Sequence, residues 1–259
     1  MATPRDLAHA EQRQRIIAVA RDHLIREGAA QLSLRKVIKE VGMVSSAIYR
    51  YFPNRDALLT ALIVEGYQNL ARDLGEVTAP EPEVRFRELC ARLIAWGRAH
   101  PQEFALIYGS PVSGYAAPAD TIEPAARVVA PFLEAVAAGE SAGDLATHSV
   151  ESEALAAQAA DLVAASGVTL TPGAAVGAVE AFTLLVGALT LHLGGHFIGT
   201  FDPFEPLADR LVATAARLAG WRLPRQGQMR AEALEAAQDP DDLDESKAVL
   251  GDMASLRAR

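Results

Sequence analysis

Residues 32–59 read LSLRKVIKEVGMVSSAIYRYFPNRDALL and decide the fold of this chain. Within them, apolar side chains recur at i, i+3, i+4 and i+7 over 34–41, which predicts one buried face of a short helix. Gly42 interrupts this spacing, as a tight turn between two helices requires. A second apolar face follows over 44–51 and stops at Pro53. The stretch therefore predicts a helix, a tight turn and a second, short helix.

Two features of this helix pair favour DNA binding over an ordinary helical hairpin. Residues 33–55 carry five Lys and Arg side chains against a single Glu. The second helix opens with the small residues 45–47, so its N-terminal end can approach base edges in a major groove while the first helix crosses the backbone. Ser33 stands just before the first helix, where its hydroxyl is expected to cap the helix start. The spacing alone leaves a helical hairpin inside a core as the alternative.

The run 42–59, GMVSSAIYRYFPNRDALL, resembles the DNA-binding signature of the TetR/AcrR family of bacterial transcriptional regulators. In that family a Gly-Val-Ser turn leads to a Tyr-Arg-aromatic-Phe ending, followed by a basic residue and Leu-Leu. The resemblance implies a three-helix head, which a helix predicted over 11–27 would complete. One position departs from the pattern: Leu34 stands where relatives commonly carry Thr, so a hydroxyl contact to phosphate is missing.

The resemblance and the reach of the side chains together predict the DNA-binding residues. Tyr49 and Tyr51 match positions that hydrogen-bond phosphate oxygens, although partial core packing is the alternative for Tyr51. Arg55 matches a basic phosphate contact, and Arg35 matches a position from which an Arg can pair bidentately with guanine. The predicted set is Ser33, Arg35, Val44, Ser45, Ser46, Ala47, Tyr49, Arg50, Tyr51 and Arg55.

The charge distribution supports contact with phosphates at one end of the chain only. The whole chain has a formal net charge of −9, which by itself argues against nucleic-acid binding. Residues 1–60, however, carry +4 and the remainder carries −13. A basic front on an acidic body is typical of a protein that touches DNA with one domain.

Several features of the sequence predict a cytoplasmic protein. The single cysteine, Cys90, allows no internal disulfide and is compatible with a reducing compartment. The first residues contain no apolar signal-peptide segment. No uninterrupted apolar run reaches the ~18 residues of a membrane-spanning helix. We expect neither a membrane partner nor a cofactor.

Half of the residues are hydrophobic, and clusters of Pro and Gly divide the rest of the chain into further helices. A helix predicted over 55–74 follows the head and would link it mechanically to the remaining helices. A long stretch over 173–200 has Glu180 as its only acidic residue, which predicts burial in the core and against a partner subunit. The predicted fold is all-α, with a helix-turn-helix DNA-binding domain (1–54), a helical ligand-binding and dimerisation domain (55–221) and a disordered tail (222–259).

The second domain resembles a subclass of the family whose long penultimate helix carries a Trp-His-Gly element. Gly187, Gly195 and His196 match that element and its continuation, whereas Phe182 and Val186 stand where Trp and His are expected. The family resemblance implies a pocket for a small, apolar effector, with plain core packing as the alternative for each candidate. The candidate pocket residues are Trp96, Phe104, Tyr108, Phe132, Phe182 and His192.

His192 and His196 are also spaced as metal ligands on one helix face, which leaves a metal-dependent sensor or a helical-bundle enzyme as a rival hypothesis. No carboxylate lies between the two, so hydrogen-bonded packing histidines are favoured and no metal site or catalytic residue is predicted. A second rival is an architectural DNA-binding protein without an effector.

The favoured function is a ligand-responsive transcriptional regulator, a repressor, that binds a palindromic operator as a homodimer and is not an enzyme. Helices predicted over 150–165 and 173–200 would pair with their copies at the dimer interface.

Overall fold

The computed structural model describes residues 3–146 and 149–222, and this part of the chain is built from α-helices. Ten helices follow in order: α1 Pro4–Glu27, α2 Leu34–Val41, α3 Ser45–Ile48, α4 Arg55–Leu74, α5 Pro82–Ala99, α6 Pro101–Tyr108, α7 Ile122–Ala142, α8 Glu153–Ser166, α9 Pro172–Leu193 and α10 Glu205–Leu218. Across these two ranges there is no β-strand, which agrees with the predicted all-α class. Apart from Arg222, the predicted disordered tail lies outside the described residues.

Helix α1 begins at Pro4, earlier than the start near Glu11 that the apolar spacing predicts. The reason is a capping box: the Thr3 hydroxyl oxygen accepts a hydrogen bond from the Asp6 backbone amide (3.2 Å), and the Asp6 carboxylate accepts one from the Thr3 amide (3.0 Å). Proline is also well tolerated in a first helical turn, because it lacks an amide hydrogen that would need a partner there. The additional turns bring His9 alongside the helix-turn-helix.

The head consists of α1, α2, α3 and the N-terminal half of α4, which surround one hydrophobic cluster. Its members are fully or nearly buried: Ile16, Ile17, Ala20, Leu32, Val37, Ile38, Val41, Ile48, Phe52, Leu58, Leu59, Ala61 and Leu62. Large branched and aromatic side chains dominate this list. The predicted apolar face of α2 supplies three of them, at Val37, Ile38 and Val41.

Helix α4 belongs to two hydrophobic clusters at once. Its start is fixed by the Asn54 side chain, which accepts a hydrogen bond from the Ala57 amide at 2.8 Å. Leu58 and Leu62 enter the head cluster, whereas Leu70 and Leu74 enter the cluster of the following helices. The predicted mechanical link between head and body is therefore a single continuous helix.

The body comprises the C-terminal half of α4 and helices α5 to α10, packed around the second cluster. Small residues allow these helices to approach closely. A Cβ atom on Gly97 of α5 would overlap the side chains of Leu189 and Phe104. A Cβ atom on Gly177 of α9 would overlap the backbone carbonyl of Leu218 in α10. The crossings of α9 with α5 and with α10 thus depend on the missing side chains.

Two helix ends differ from the prediction. Helix α7 continues through the predicted break at 139–143 as far as Ala142, because Gly139 is buried against the Trp221 ring rather than exposed in a loop. Helix α9 ends at Leu193 instead of continuing to residue 200. Consecutive glycines follow it, and Gly195 has a φ of 79°, a conformation that ends a helix.

Helix α9 is apolar but only partly buried in this single chain. It is the one helix among the described residues whose length and composition would allow it to cross a membrane. Core helices meet the same criterion, and one face of α9, including Ala175, Ala181 and Leu189, lies in the body cluster. Val179 and Leu191 on other faces remain 44% and 45% exposed. Contacts within one subunit therefore bury only part of the apolar surface of α9.

Candidate nucleic-acid interface

Helices α2 and α3 form the predicted helix-turn-helix. Gly42 takes the left-handed conformation (φ 74°, ψ 29°) that closes α2, and its amide donates to the Ile38 carbonyl at 3.1 Å. The next amide, that of Met43, donates to the same carbonyl at 3.3 Å. Val44 then precedes α3 in extended conformation. The turn that Gly42 predicts from sequence is thus present in the structure.

Helix α3 itself is short, spanning Ser45–Ile48, whereas the prediction extends to residue 51. The chain continues beyond it in helical turns, because the amides of Tyr51 and Phe52 both donate to the Ile48 carbonyl at 2.8 and 2.9 Å. Ile48 and Phe52 are 0% and 1% exposed and anchor this segment in the head cluster. The segment presents its outer face from a fixed position.

The outer face of this segment carries most of the predicted base- and phosphate-contacting residues. Val44 is 72% exposed and Tyr49 is 53% exposed, and Ser46 and Arg50 are also exposed. Ala47 is buried, so a contact from it with DNA would come chiefly through its backbone. The backbone of Ser45 opens α3, but its side chain lies outside the described part of the structure.

The two predicted tyrosines lie in different environments. Tyr49 points to solvent, whereas Tyr51 is half-buried and its ring stacks on His9 of α1 with the ring centres 4.5 Å apart. Close by, the Arg13 guanidinium lies 5.2 Å from the centre of the Phe52 ring. His9 precedes the helix start predicted near residue 11, so the apolar spacing did not reveal this residue of the surface. The capping box at the start of α1 could have indicated His9, since it extends the helix past that position.

Arg35 and Ser33 occupy the start of α2. Arg35 is exposed on α2, as a residue that reaches a base must be. Ser33 holds the cap position, but its side chain makes no capping hydrogen bond, so the predicted capping role of its hydroxyl is wrong for this conformation. Its half-buried side chain remains beside the helix end.

Ion pairs engage some of the basic side chains of the head and leave others available. Lys36 Nζ lies 2.6 Å from Glu27 Oε2, which joins α2 to α1. His23 is buried between the same two helices, with its Nε2 2.8 Å from Glu40 Oε2. Among the described residues, no ion pair involves Arg35, Lys39 or Arg50. These three side chains are all exposed and could face phosphates.

Arg55 is held by the head itself. Its Nε donates to the Leu32 carbonyl at 3.0 Å, and its Nη2 donates to the carbonyls of Ala29 at 2.9 Å and Ala30 at 3.4 Å. These bonds join the first residue of α4 to the turn before α2. The predicted phosphate contact of Arg55 would therefore have to come from the remaining nitrogen, and it stays a prediction.

Comparisons with known proteins agree with this geometry at both ends of the chain. Residues 16–62 match the model of bacterial regulatory proteins of the tetR family, and residues 86–215, half of the chain, match the tetracyclin repressor-like C-terminal domain. The chain belongs to the TetR family of bacterial transcriptional regulators. The predicted family and the predicted all-α fold with a helix-turn-helix head are confirmed.

Individual relatives of this TetR-family chain are similar over different lengths. The HTH-type transcriptional regulators Rv1816 of Mycobacterium tuberculosis and Mb1846 of Mycobacterium bovis are 42% identical over 136 residues, covering 51% of this chain. The match covers 58% of those proteins, so the chain spans little more than half the length of the curated relatives it matches.

Solved structures extend the likeness to most of the described chain. The crystal structure of the regulatory protein SCO4313 is 32% identical with a TM-score of 0.66, covering 82% of this chain and 98% of that one. A tetR-family transcriptional regulator from Streptomyces coelicolor shares the fold, with 20% identity, a TM-score of 0.54 and 100% of each chain covered.

The structure brings together four of the six candidate pocket residues of this TetR-family body. The Tyr108 ring centre lies 5.2 Å from that of Phe104 and 6.0 Å from that of Phe182, which in turn lies 5.5 Å from Phe132. Phe104 and Phe132 are 1% exposed, so they pack in the core. Burial raises the pKa of the Tyr108 hydroxyl above its ordinary value, so Tyr108 stays neutral.

The other two candidates lie apart from this aromatic cluster. The Trp96 ring packs on His100 with their centres 5.1 Å apart, and it borders a cleft between α1, α4 and α5. His192 stacks on Phe204 at 3.9 Å, and this packing removes water and lowers its pKa. The six residues therefore do not line one common pocket.

The rival metal hypothesis loses its geometric basis. Helix α9 ends at Leu193, so His196 follows in a turn and does not share a helix face with His192. Within the part of the chain that the structure describes, no group of three or more His, Cys, Asp or Glu side chains could hold a metal ion. The predicted i, i+4 pairing of His192 and His196 assumed that α9 continues past Gly194 and Gly195, and the helix ends before them.

Proposed function

We propose that this chain is a ligand-responsive transcriptional repressor that binds a palindromic operator as a homodimer in the cytoplasm. The observation that carries the proposal is the helix-turn-helix, whose second helix is anchored by Ile48 and Phe52 and directs its exposed residues away from the head core. The family membership agrees with this use of the motif. Helices that enter a major groove read bases with their N-terminal residues.

The proposed reading surface combines sequence-dependent and sequence-independent contacts. Arg35 and the start of α3 would meet base edges, and Tyr49, Arg50 and Lys39 would meet phosphates. Arg50 and Lys39 are cationic, so their contacts release counterions and make binding weaken as salt rises. Ser33, Val44, Ser45, Ser46, Ala47, Tyr51 and Arg55 complete the proposed set.

The proposed dimer uses the exposed faces of α8 and α9. Between these helices runs an apolar groove of 310 Å³, lined mainly by Leu155, Leu162, Val176 and Val179. Leu155 and Val179 are 42% and 44% exposed in the single chain. Pairing of the two helices with their copies would bury this surface as a four-helix interface. Two-fold symmetry would then place the two α3 helices about one DNA turn apart, ~34–36 Å.

In the proposed regulation, an effector bound in the body changes the position of α4. Because α4 lies in both hydrophobic clusters, a shift of its C-terminal half is passed to the head without an intervening linker. The effector needs a higher affinity for the arrangement that does not fit the operator. An architectural DNA-binding protein would share the head but show no such response.

The test of DNA binding is selection of bound sequences from a random DNA pool by the purified full chain at physiological salt. We expect recovery of a palindrome whose half-sites are one helical turn apart or a multiple of it. Recovery of no motif from a protein that is folded by circular dichroism would overturn the proposed function.

The test of the dimer is sedimentation of the Val179→Glu variant, with Ala126→Glu as the matched control. Both residues are exposed in the single chain, but Ala126 lies on α7 outside the apolar groove. We expect Val179→Glu to sediment as a monomer and to lose operator affinity, because two buried like charges would face each other across the two-fold axis. If the Val179→Glu variant forms dimers as stable as those of the wild type, the dimer interface does not include this groove.

A further inference from the structure

A cavity of 210 Å³ lies between α4, α6 and the loop that follows α6. We call it the loop cavity. Helix α4 contributes Ile63 and Tyr67 to its wall, and α6 contributes Leu106 and Ile107. The remaining wall comes from the loop and the start of the next helical turn: Gly109, Ser110, Pro111, Val112, Tyr115, Ala117 and Thr121.

The wall of the loop cavity determines which ligands suit it. None of its lining side chains is charged, and its polar groups are hydroxyls and backbone amides and carbonyls. Two larger clefts beside α4 differ in this respect, because Arg72 lines both of them, with Glu65 in one and Glu103 in the other. The volume of the loop cavity, 210 Å³, is below the ~300–1,000 Å³ of pockets for drug-sized ligands. The loop cavity thus suits a small, uncharged molecule with an apolar body.

Two hydrogen bonds tie the loop cavity to α4. The Tyr115 hydroxyl of the loop lies 3.0 Å from Thr60 Oγ1 of α4. The Tyr67 hydroxyl of α4 donates to the Ile107 carbonyl at the end of α6, at 3.2 Å. Helices α4 and α6 also pack closely, since a Cβ atom on Gly66 would lie only 3.2 Å from Ile107 Cγ2. A molecule larger than this 210 Å³ space would therefore have to displace the loop or α4.

The same wall reaches the DNA-binding head directly. Leu106, Val112 and Tyr115 are partly buried and pack against the hydrophobic cluster of the head, although they belong to α6 and the loop after it. Displacing them would change the packing of the head cluster beneath the helix-turn-helix. A ligand in the loop cavity therefore needs no additional relay through the body to affect the head.

We propose that the loop cavity is the effector site of this regulator and that it takes a small, uncharged, mainly apolar ligand. This inference rests on the proposed function, because it names the site and the ligand class of the proposed regulation. The predicted pocket residues Phe104 and Tyr108 lie behind the cavity, where Tyr108 meets Tyr67 edge-on at 5.9 Å. They support its inner wall and do not line it.

The experiment fixes a neutral group at Ser110, a solvent-exposed residue of the cavity wall, and needs no knowledge of the natural effector. Ser110→Cys places a thiol in the cavity wall, and benzyl methanethiosulfonate then attaches a benzylthio group to it as a disulfide, with methanesulfinate as the leaving group. The native Cys90 is 0% exposed, and burial raises the pKa of its thiol, so it does not react. Intact mass confirms that one group is attached.

We expect the labelled Ser110→Cys protein to bind the selected operator about tenfold or more weakly than the same protein unlabelled, within the ~5–150-fold range of allosteric couplings. The matched control is Ser113→Cys, labelled in the same way, because Ser113 is exposed in the same loop but does not line the cavity. We expect its operator affinity to be unchanged by the label.

Two outcomes would overturn this inference while leaving the proposed function intact. One is full operator affinity of the labelled Ser110→Cys protein. The other is an equal loss in both labelled variants, which would indicate a general disturbance of the loop. Failure of the unlabelled wild-type chain to recover any operator would instead count against the proposed function itself.

Discussion

The DNA-binding head and the helical body differ in what fills their hydrophobic clusters. The head is packed with large side chains such as Ile16, Ile48 and Phe52. The body combines aromatic residues with many alanines, among them Ala135, Ala175, Ala178, Ala181, Ala215, Ala216 and Ala219. Large apolar residues mark a buried helix face by their spacing, whereas alanine occurs on buried and exposed faces alike. The packing of the head can consequently be predicted from the sequence, whereas the arrangement of the body helices cannot.

Their surfaces differ in the same way. The head exposes cationic and hydroxyl side chains around α3, and the body exposes apolar side chains along α8 and α9. Charged groups suit a phosphate backbone, and apolar groups suit a second protein surface. Each of the following predictions separates the two regions or tests the helix that joins them.

The largest expected effect comes from emptying one cluster at a time. Phe52→Ala in the head and Phe86→Ala in the body each remove a side chain that is 1% or 0% exposed, at a cost of about 3–5 kcal/mol in the free energy of unfolding. Hydrogen exchange should show Phe52→Ala deprotecting α1 to α3 first and Phe86→Ala deprotecting α5 and α7 first. Equal deprotection of both regions by either variant would show that they unfold as one unit.

Arg55→Ala tests the junction between head and body. It removes three hydrogen bonds from a charged group to backbone carbonyls, so we expect a loss of about 1.5–3 kcal/mol in urea unfolding. Arg55→Lys should lose nearly as much, because an ammonium group cannot reproduce the planar fork.

Salt dependence distinguishes this positioning role of Arg55 from a phosphate contact. If Arg55 only positions the turn before α2, Arg55→Ala lowers operator affinity but leaves the slope of log K against log salt unchanged. If it binds a phosphate, the magnitude of the slope falls by about 0.9. The second result, together with normal stability, would restore the phosphate contact.

Tyr49→Phe should weaken operator binding by roughly 1–2 kcal/mol, since one hydrogen bond to a phosphate is lost. Tyr108→Phe is the control, because Tyr108 packs in the body and lies outside the proposed DNA-binding set. Fluorescence anisotropy with labelled operator at moderate salt measures both variants, and thermal melting should show neither destabilised. Unchanged affinity in Tyr49→Phe would remove Tyr49 from the DNA-binding set.

The smallest expected effect concerns Glu65, which faces α1 from α4 at the junction of the two regions. Removal from water raises the pKa of this carboxyl, while Arg21 at 3.7 Å opposes the shift and Glu103 adds to it. The second oxygen, Oε2, is buried without a hydrogen-bond partner among the described residues. We therefore expect Glu65→Gln to raise Tm slightly at pH 7.

The sign of the pH dependence follows from the raised pKa of Glu65. The folded protein holds a proton on this carboxyl at pH values where the unfolded chain has lost it, so wild-type stability rises as pH falls from the raised pKa towards the ordinary 4.5. The Tm difference between Glu65→Gln and wild type should shrink over that window in thermal melts. A Gln variant that is less stable at pH 7 would show that the ion pair with Arg21 outweighs the loss of hydration.

The head was largely predictable because its determinants are local. The spacing around Gly42 and the bounds of α4 both agree with the structure. The misses within the head also have local causes: the capping box of Thr3 extends α1, and the end of α3 is set by hydrogen bonds to Ile48. Arg55 was placed by likeness to other chains, and only its contacts with three carbonyls show what holds it here.

The candidate effector site could not be predicted in the same way. The notable aromatic residues suggested a pocket, but most of them fill the core of the body. The loop cavity is instead lined by residues from three segments of the chain, most of which have unremarkable side chains. A cavity is a space that packing leaves, and no residue type marks it in advance.

The sequence by itself determined the helical class, the helix-turn-helix and the basic charge of the head, because helix spacing, turn glycines and formal charge are properties of neighbouring residues. Only the tertiary structure decided that Arg55 is held by the turn before α2, that His196 leaves the helix of His192, and that Tyr115 and Thr60 meet across the loop cavity. Those contacts join residues far apart in the chain, and their geometry depends on how whole helices pack against one another.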